Sequence, residues 1–152
     1  MLVSLLGTEK THNNITNSNT FKKVCGGITT LINNKVNVSI NMAVSKLNLR
    51  ELRSVGMIAK DLGAITFCAT PVVPSHQSNK KFLLGGDECK QMLRTLLKIK
   101  DELQIRIDTL EPIARCLFNE KEEDEFVNFF GNRICSAAVT TCAISSKGTV
   151  RP

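Results

Sequence analysis

Six cysteines are the residues of this 152-residue sequence best suited to chemistry, and they stand at positions 25, 68, 89, 116, 135 and 142. A thiolate is a nucleophile and a soft ligand for zinc or iron–sulfur clusters. In a chain of intracellular type we expect thiols, metal ligands or buried apolar side chains rather than disulfides. Cys25 and Cys89 occupy apolar positions of helical patterns, which predicts that both lie in the core. Cys135 and Cys142 lie in a stretch rich in Thr, Ser and Ala and need a different explanation.

The remaining cysteines and the two histidines are weaker candidates. Cys68 and Cys116 stand at or just beyond predicted strands, where a ligand-facing thiol is one interpretation and core packing is the simpler one. His12 and His76 fall in predicted loops without a matching partner. The sequence therefore does not predict a metal site at either histidine.

Strands and helices alternate along the part of the chain that must position these residues. Apolar patterns predict strands at 1–6, 36–44, 64–69 and 105–110. Helical spacing of apolar residues predicts helices at 21–32, 49–62 and 87–103. The alternation is typical of a parallel sheet with crossover helices, and both a doubly wound sheet and a (β/α) barrel fit it.

The second predicted strand favours the barrel. Its apolar set runs unbroken through alternate positions of 36–44, whereas the other set contains Asn37, Ser39 and Asn41. Helices cover the outer face of a barrel strand, and the opposite face lines a lumen where ligands bind. A polar lumen wall is what a cofactor site needs. An edge strand with one face in water is the alternative interpretation.

Local signals predict where the elements end. Asn48 followed by Glu51 is typical of a capping box at a helix N-terminus, and Gly63 is expected to end that helix. The polar segment 7–19 and the segment 70–86, which contains two prolines, are predicted to be loops.

The composition changes after the last predicted strand. Residues 119–125 are mostly acidic and predict a solvated linker or helix start, and Phe126, Phe129 and Phe130 predict a short helix. The sequence Ser-Ser-Lys-Gly at 145–148 predicts a turn between the two strands of a hairpin. We expect the chain to begin within a buried strand and to stop within this hairpin, as a piece of a larger enzyme would.

Bulk composition narrows the class of protein. Hydrophobic residues make up 42% and charged residues 22%, which predicts a folded domain rather than a disordered chain. Neither a membrane-spanning run nor a signal peptide is recognisable, so we expect a cytoplasmic protein without a membrane partner. The formal charge of +6 is spread along the chain without interleaved aromatic residues, and a nucleic-acid partner is not favoured.

The C-terminal segment resembles a known domain. Cys135, a gap, Gly148 and the residues up to Pro152 are similar to the opening of the SPASM domain, an extension of many radical S-adenosylmethionine (SAM) enzymes. In that family a second cysteine follows the glycine after four intervening residues, which is one position beyond Pro152. The resemblance implies that Cys135, and with it Cys142, binds an auxiliary iron–sulfur cluster.

The first half of the chain is similar to the same family. Residues 3–17 and the helix that begins at Phe21 resemble the fourth strand and helix of the radical SAM partial barrel. Residues 38–44 resemble its fifth strand and 64–69 its sixth. Leu6 departs from the family, which often has Asp at that position. The resemblance implies that Ser4 and Asn41 hydrogen-bond the methionyl or ribose groups of SAM.

The resemblance implies a fold and a domain order. The implied fold is α/β, the second half of a partial (β/α)6 TIM-like barrel with parallel strands and outer helices, followed by a truncated β-hairpin. The implied domains are the barrel half at 1–118, an acidic linker or helix at 119–134, and the start of the SPASM domain at 135–152.

It also implies a chemistry. Radical SAM enzymes pass one electron from a reduced [4Fe–4S] cluster to SAM, and the resulting 5′-deoxyadenosyl radical abstracts a hydrogen atom. The family's Cys-x-x-x-Cys-x-x-Cys loop does not occur in this sequence. We expect a parent enzyme that matures a peptide or protein substrate with SAM and [4Fe–4S] clusters. This chain alone is expected to hold neither cofactor and to be inactive without a missing N-terminal barrel half.

A function of another class also fits the sequence. The alternative is a stand-alone, non-catalytic α/β domain that binds a small ligand or a protein partner.

Overall fold

The chain forms two compact units, Met1–Leu110 and Glu111–Pro152. The computed structural model describes residues 1–73, 77–111, 113, 115–130 and 142–151. The predicted domain boundaries at 118 and 134 stay predictions.

The first unit is a parallel α/β structure. Its elements run in the order β1 (Leu2–Ser4), α1 (Glu9–Thr16), α2 (Phe21–Asn33), β2 (Ser39–Val44), α3 (Leu52–Asp61), β3 (Thr66–Pro71), α4 (Gly86–Leu103) and β4 (Arg106–Asp108). The four strands form one parallel sheet in the spatial order β1-β2-β3-β4. The predicted α/β class, with parallel strands and crossover helices, is therefore confirmed.

Alternate strand residues and the inner helix faces form the core of this unit. In β2, Ile40, Met42 and Val44 are buried. The helices contribute buried side chains at helical spacing: Leu52, Val55 and Ala59 from α3, and Cys89, Met92, Leu93, Leu96 and Ile99 from α4. Burial of this apolar surface, at about 25 cal/mol per Å², is the main force that holds the helices on the sheet.

Three strands are shorter than their apolar patterns predict. The strand predicted at 1–6 is reduced to β1, Leu2–Ser4, whose residues are exposed or half-buried rather than buried. β2 begins only at Ser39, because the chain leaves α2 through Lys35, which has a left-handed φ of 61°. β4 ends at Asp108, whose Oδ1 accepts the N–H groups of Thr109 and Leu110 at 2.6 and 3.1 Å. A carboxylate that binds the amides after it turns the chain out of the ladder.

The segment 7–19 contains the helix α1, so the prediction of a loop there is wrong. The helical residues Glu-Lys-Thr-His-Asn-Asn-Ile-Thr are nearly all polar and show no apolar period. The helix ends at Asn17, which adopts a left-handed φ of 49° and donates its N–H to the carbonyl of Asn14. Within the segment 70–86, a short 3-10 helix covers Gln77–Phe82.

The predicted capping box at Asn48 is not formed. A 3-10 turn at Leu49–Glu51 precedes α3, and the Asn48 side chain makes no capping hydrogen bond to it. Gly63 does end α3 as predicted, with a φ of 87° that favours glycine.

The second unit contains α5 (Glu120–Phe130) and the strands β5 (Ala143–Ile144) and β6 (Val150–Arg151). The helix begins with a capping box of its own. The Asn119 Oδ1 accepts the Glu122 N–H at 3.0 Å, and the Glu122 carboxylate accepts the Asn119 N–H at 3.2 Å. The predicted short helix is confirmed.

The hairpin of β5 and β6 is also confirmed, because the two strands pair antiparallel. Ser145 opens the turn. Its carbonyl oxygen accepts the Gly148 N–H at 2.9 Å, and its hydroxyl oxygen accepts the Thr149 N–H at 3.1 Å. Gly148 has a φ of 79°, so a side chain at this position would be strained.

Candidate functional site

One residue from each strand of the parallel sheet falls in a single row, which we call the polar row. The register pairs Ser4 with Asn41, Asn41 with Cys68, and Cys68 with Asp108. Residues paired directly across a sheet share a face, and the alternation within β2 puts this face opposite the buried apolar side chains. A hydroxyl, an amide, a thiol and a carboxyl group therefore follow one another across the sheet.

Thr70 ties the polar row to the end of the sheet. Its hydroxyl lies 2.9 Å from the Asn41 Oδ1 and 2.9 Å from the Thr109 carbonyl oxygen, and its single proton serves one acceptor at a time. Within the described residues, the Asn41 Nδ2 and the Ser4 hydroxyl donate no hydrogen bond. Both predicted SAM-binding residues thus present donor groups side by side on one face.

A second group of polar residues lies where β1 and β2 end. Asn48 is 1% exposed and joins the two strand ends, because its Nδ2 donates to the carbonyl oxygens of Leu6 and Ala43, each at 2.9 Å. Its Oδ1 accepts the Ser45 N–H at 2.8 Å. The Asn48 side chain therefore supplies hydrogen bonds to backbone groups at the ends of β1 and β2, where the pairing between the strands stops.

His12 binds the N–H of Leu6, the residue whose carbonyl binds Asn48. The Leu6 N–H donates to the His12 Nδ1 at 3.1 Å, and the Nε2 lies 3.3 Å from the Thr20 hydroxyl. Because Nδ1 accepts a hydrogen bond, the ring proton belongs on Nε2, and burial lowers the pKa of His12. Instead of a loop histidine, the structure has a buried histidine of α1, edge-on to Phe21 with ring centroids 5.8 Å apart.

Glu51 binds the first turn of α1 from across the chain. Its Oε2 accepts the Thr8 N–H at 2.7 Å, and its Oε1 accepts the Thr11 hydroxyl. Burial by itself would raise the pKa of Glu51, but these hydrogen bonds outweigh burial and the net pKa is lowered. We call Asn48, His12 and Glu51 the turn cluster, because all three hold the connection between β1 and α1.

Acidification is expected to destabilise the first unit through the turn cluster. The pKa of His12 lies below its ordinary 6.5, so the unfolded chain takes up the proton first and stability falls as pH falls below 6.5. The pKa of Glu51 lies below its ordinary 4.5, so its contribution is lost at lower pH, as the pH falls through the folded pKa. Urea unfolding at a series of pH values measures both steps.

A His12→Gln variant is the control for this titration. Glutamine can still accept the Leu6 N–H but does not titrate, so the fall in stability in the histidine range should be absent. An identical pH profile in the variant would show that another group causes the loss.

The cysteines do not assemble a metal site within the described residues. Cys142 is exposed, and the other predicted ligand, Cys135, lies outside the described residues. Burial raises the pKa of the Cys25 and Cys89 thiols, which favours the unreactive protonated form. In the part of the chain that the structure describes, no group of three or more His, Cys, Asp or Glu could hold a metal ion.

Burial is confirmed for two of the cysteines for which core packing was predicted, although Cys68 lies in the polar row, on the sheet face opposite the apolar side chains of β2. Cys68 is 1% exposed and Cys89 is also buried, whereas Cys25 is half-buried. Cys116 is exposed, so the prediction that it packs in the core is wrong. It lies in a short 3-10 turn that follows the last strand of the sheet.

A cleft of about 450 Å³ opens where the loop after β2 meets the start of α4. It is lined by Lys46, Leu47, Leu49, Arg50, Glu88 and Gln91. The Lys46 ammonium lies 3.6 Å from a carboxylate oxygen of Glu88, and the same oxygen accepts the Gly85 N–H at 2.7 Å. Because the single acidic side chain of the lining is engaged, the cleft is suited to an anionic group.

The sequence predicted only part of these groups. Ser4 and Asn41 were identified as site residues, but the alignment of Cys68 and Asp108 with them depends on the register of the sheet. In the sequence, the polar row is indicated only by a polar residue at an alternate position of each strand. For Asn48 the signal was its spacing from Glu51, which predicted a local cap instead of a bond to a distant strand.

The fold and the polar row define a parallel α/β domain with polar groups on one sheet face. No family model matches the chain, and no curated protein matches it either. Among the helices in the described ranges, none is both long enough and apolar enough to cross a bilayer.

Proposed function

We propose that this chain forms the SAM-binding side of a radical SAM enzyme of the SPASM type, which matures a peptide or protein. The observation that carries the proposal is the pairing of Ser4 with Asn41 on one face of the sheet. The family resemblance assigns these two residues to SAM. Their hydroxyl and amide groups are suited to bind the carboxylate or ribose oxygens of such a ligand.

The strand order supports a partial barrel. Strands that follow one another in sequence order, with right-handed crossovers, have all their connecting helices on the same face. A doubly wound sheet instead reverses its order at a switch point and carries helices on both faces. In a barrel the helices lie outside, and the face that carries the polar row lines the lumen.

The described residues fit the two cofactors to different degrees. The polar row offers donors for SAM, whereas the described residues bring no set of thiolates together for a cluster. In this proposal the cluster that activates SAM is therefore held by an N-terminal barrel half outside these residues. When bound at a reduced cluster, SAM would supply hydrogen-abstracting radical chemistry, and the part of this chain's residues would be to orient SAM.

The hairpin supports the SPASM part of the proposal. The turn at Gly148 and the exposed thiol of Cys142 leave the start of the hairpin accessible to an auxiliary cluster. Cys135 and Cys142 are the ligands that we propose for it. Cysteine thiolates are the usual protein ligands of such clusters.

A SAM titration of the nitrogen-15-labelled chain tests the proposal. No stable complex of this chain alone is expected, so the experiment detects a weak one by NMR chemical shifts. On addition of SAM, the NMR signals of the Asn41 side-chain amide and the Ser4 backbone amide are expected to shift. In a Ser4→Ala/Asn41→Ala variant, the shifts that SAM causes in the other residues of the sheet are expected to disappear. The matched control is Ser39→Ala/Thr66→Ala, a pair in the same sheet two residues nearer the strand starts.

Several results would contradict the proposal. Absence of any shift at high SAM concentration, or equal losses in the two variants, would remove the assignment of the polar row to SAM. Cleavage of SAM is not expected from the iron- and sulfide-reconstituted chain, because it lacks the Cys-x-x-x-Cys-x-x-Cys loop. Formation of 5′-deoxyadenosine above a no-protein control would show that this chain itself holds a cluster that activates SAM.

A stand-alone binding domain is the second candidate function. It is favoured by the charged cleft after β2, which offers a binding surface that needs neither SAM nor a cluster.

A further inference from the structure

Four cationic residues lie in two segments that meet at the edge where the strands of the sheet end. Lys46 and Arg50 follow β2, and Lys80 and Lys81 belong to the 3-10 helix that precedes α4. The Lys46 N–H donates to the carbonyl oxygen of Phe82 at 2.9 Å, which brings the two segments together. We call these four side chains the basic edge.

Two acidic residues, Asp87 and Glu88, lie in the first turn of α4 beside the basic edge. Glu88 is the acidic residue that lines the cleft, and it pairs with Lys46. Arg50, Lys80 and Lys81 form no ion pair within the described residues. Three positive charges are therefore available to a ligand, beside a cleft that is large enough to admit side chains.

Exposed aliphatic side chains accompany these charges. Leu47 is 52% exposed and lines the cleft between Lys46 and Leu49. Val73 is 75% exposed and follows β3, and the Val72 N–H that precedes it donates to a carbonyl at the end of β2 at 2.9 Å. The surface thus combines cations with large exposed apolar side chains, and their burial by a partner would be favourable.

We propose that the basic edge and its cleft bind an acidic peptide segment in which carboxylates alternate with apolar side chains. The carboxylates pair with Arg50, Lys80 and Lys81, and the apolar side chains cover Leu47 and Val73. Charge complementarity of this kind steers association and selects partners. The inference goes beyond the proposed SAM chemistry, because it depends only on the charges and apolar groups of this edge.

A peptide fits this edge better than a nucleic acid does. Single-stranded nucleic acid binds to basic grooves that also offer aromatic rings for base stacking. The ring at this edge belongs to Phe82, which is only half exposed and carries the Lys81 ammonium 5.0 Å from its centroid. The exposed apolar side chains beside the cations, Leu47 and Val73, are aliphatic.

Fluorescence anisotropy with the full chain tests the proposal. The probe is a fluorescein-labelled peptide of alternating Glu and Leu residues, and a peptide with Gln for every Glu is its neutral counterpart. We expect the Glu peptide to bind and an Arg50→Gln/Lys80→Gln/Lys81→Gln variant to bind it about tenfold more weakly, a change of about 1.4 kcal/mol. Binding should also weaken with added salt, because exposed charges are screened.

A second triple variant separates local recognition from net charge. Lys23→Gln/Lys98→Gln/Lys100→Gln removes the same number of charges from exposed positions, and Lys98 lies roughly 18 Å along α4 from its first residue. This variant is expected to bind within about twofold of the unchanged chain, about 0.4 kcal/mol. Equal losses in the two variants, equal binding of the Gln peptide, or tighter binding of a labelled single-stranded oligonucleotide would overturn the proposal. Each of these results leaves the SAM titration unaffected.

Discussion

An Asn48→Ala variant is expected to lose about 3 kcal/mol of unfolding free energy, because a buried polar group that loses its partner costs about 1–3 kcal/mol. The substitution leaves the carbonyl oxygens of Leu6 and Ala43 and the N–H of Ser45 without the side chain that now binds all three. The site is almost fully buried, so water replaces these bonds poorly. Urea unfolding followed by circular dichroism measures the loss.

Two further variants sharpen the Asn48 experiment. Asn48→Asp keeps the shape but replaces the amide donor by an acceptor, so it should destabilise the protein at least as much as alanine does. Asn34→Ala is the surface control, because Asn34 is exposed and its side chain makes one hydrogen bond, to Thr30. It should change stability by less than about 0.5 kcal/mol. A similarly small effect at Asn48 would mean that the strand ends do not depend on its amide.

A Gly7→Ala variant is expected to lose about 2 kcal/mol of unfolding free energy through overpacking. A methyl group at this position would lie 2.8 Å from two carbons of the Thr11 side chain and 2.9 Å from the Glu51 Oε2. Relief of that overlap must move the carboxylate away from the Thr8 N–H, and the first turn of α1 then loses its acceptor. The midpoint and slope of urea unfolding give the magnitude.

Gly26→Ala is the matched control, and it is expected to raise the unfolding free energy rather than lower it. Gly26 lies inside α2, and beyond its chain neighbours and the adjacent helix backbone no atom lies within 4 Å of a methyl group placed there. Alanine is the better helix former, so the variant should gain about 0.5–1 kcal/mol. If both alanine variants moved in the same direction, the crowding around Gly7 would not be the cause of its effect.

Dense apolar periodicity made the large elements predictable. α4 begins within one residue of its prediction and ends at the predicted residue, because buried side chains recur at every turn from Cys89 to Ile99. The same reasoning identified β2 and its polar face, including Asn41. Patterns of this kind report which face is buried, and burial determines most of the fold of the first unit.

The turn cluster could not be predicted from local patterns. α1 has no apolar stripe, and its stability depends on bonds to residues far along the chain, above all to Glu51. Asn48 carries the sequence signature of a helix cap, yet its amide binds Leu6, a residue 42 positions away. A local signature cannot distinguish a partner nearby in sequence from one that only the folded chain brings close.

The order of the strands has a consequence for how the chain can assemble during synthesis. Each strand after β1 pairs with the strand made just before it, across a single connection that contains one or two helices. The contacts of the sheet therefore join neighbouring stretches of sequence, which lowers the entropic cost of closing each loop. When each strand after β1 leaves the ribosome, the strand with which it pairs has already been synthesised. The strands can therefore be added to the sheet one at a time, in the order of the sequence.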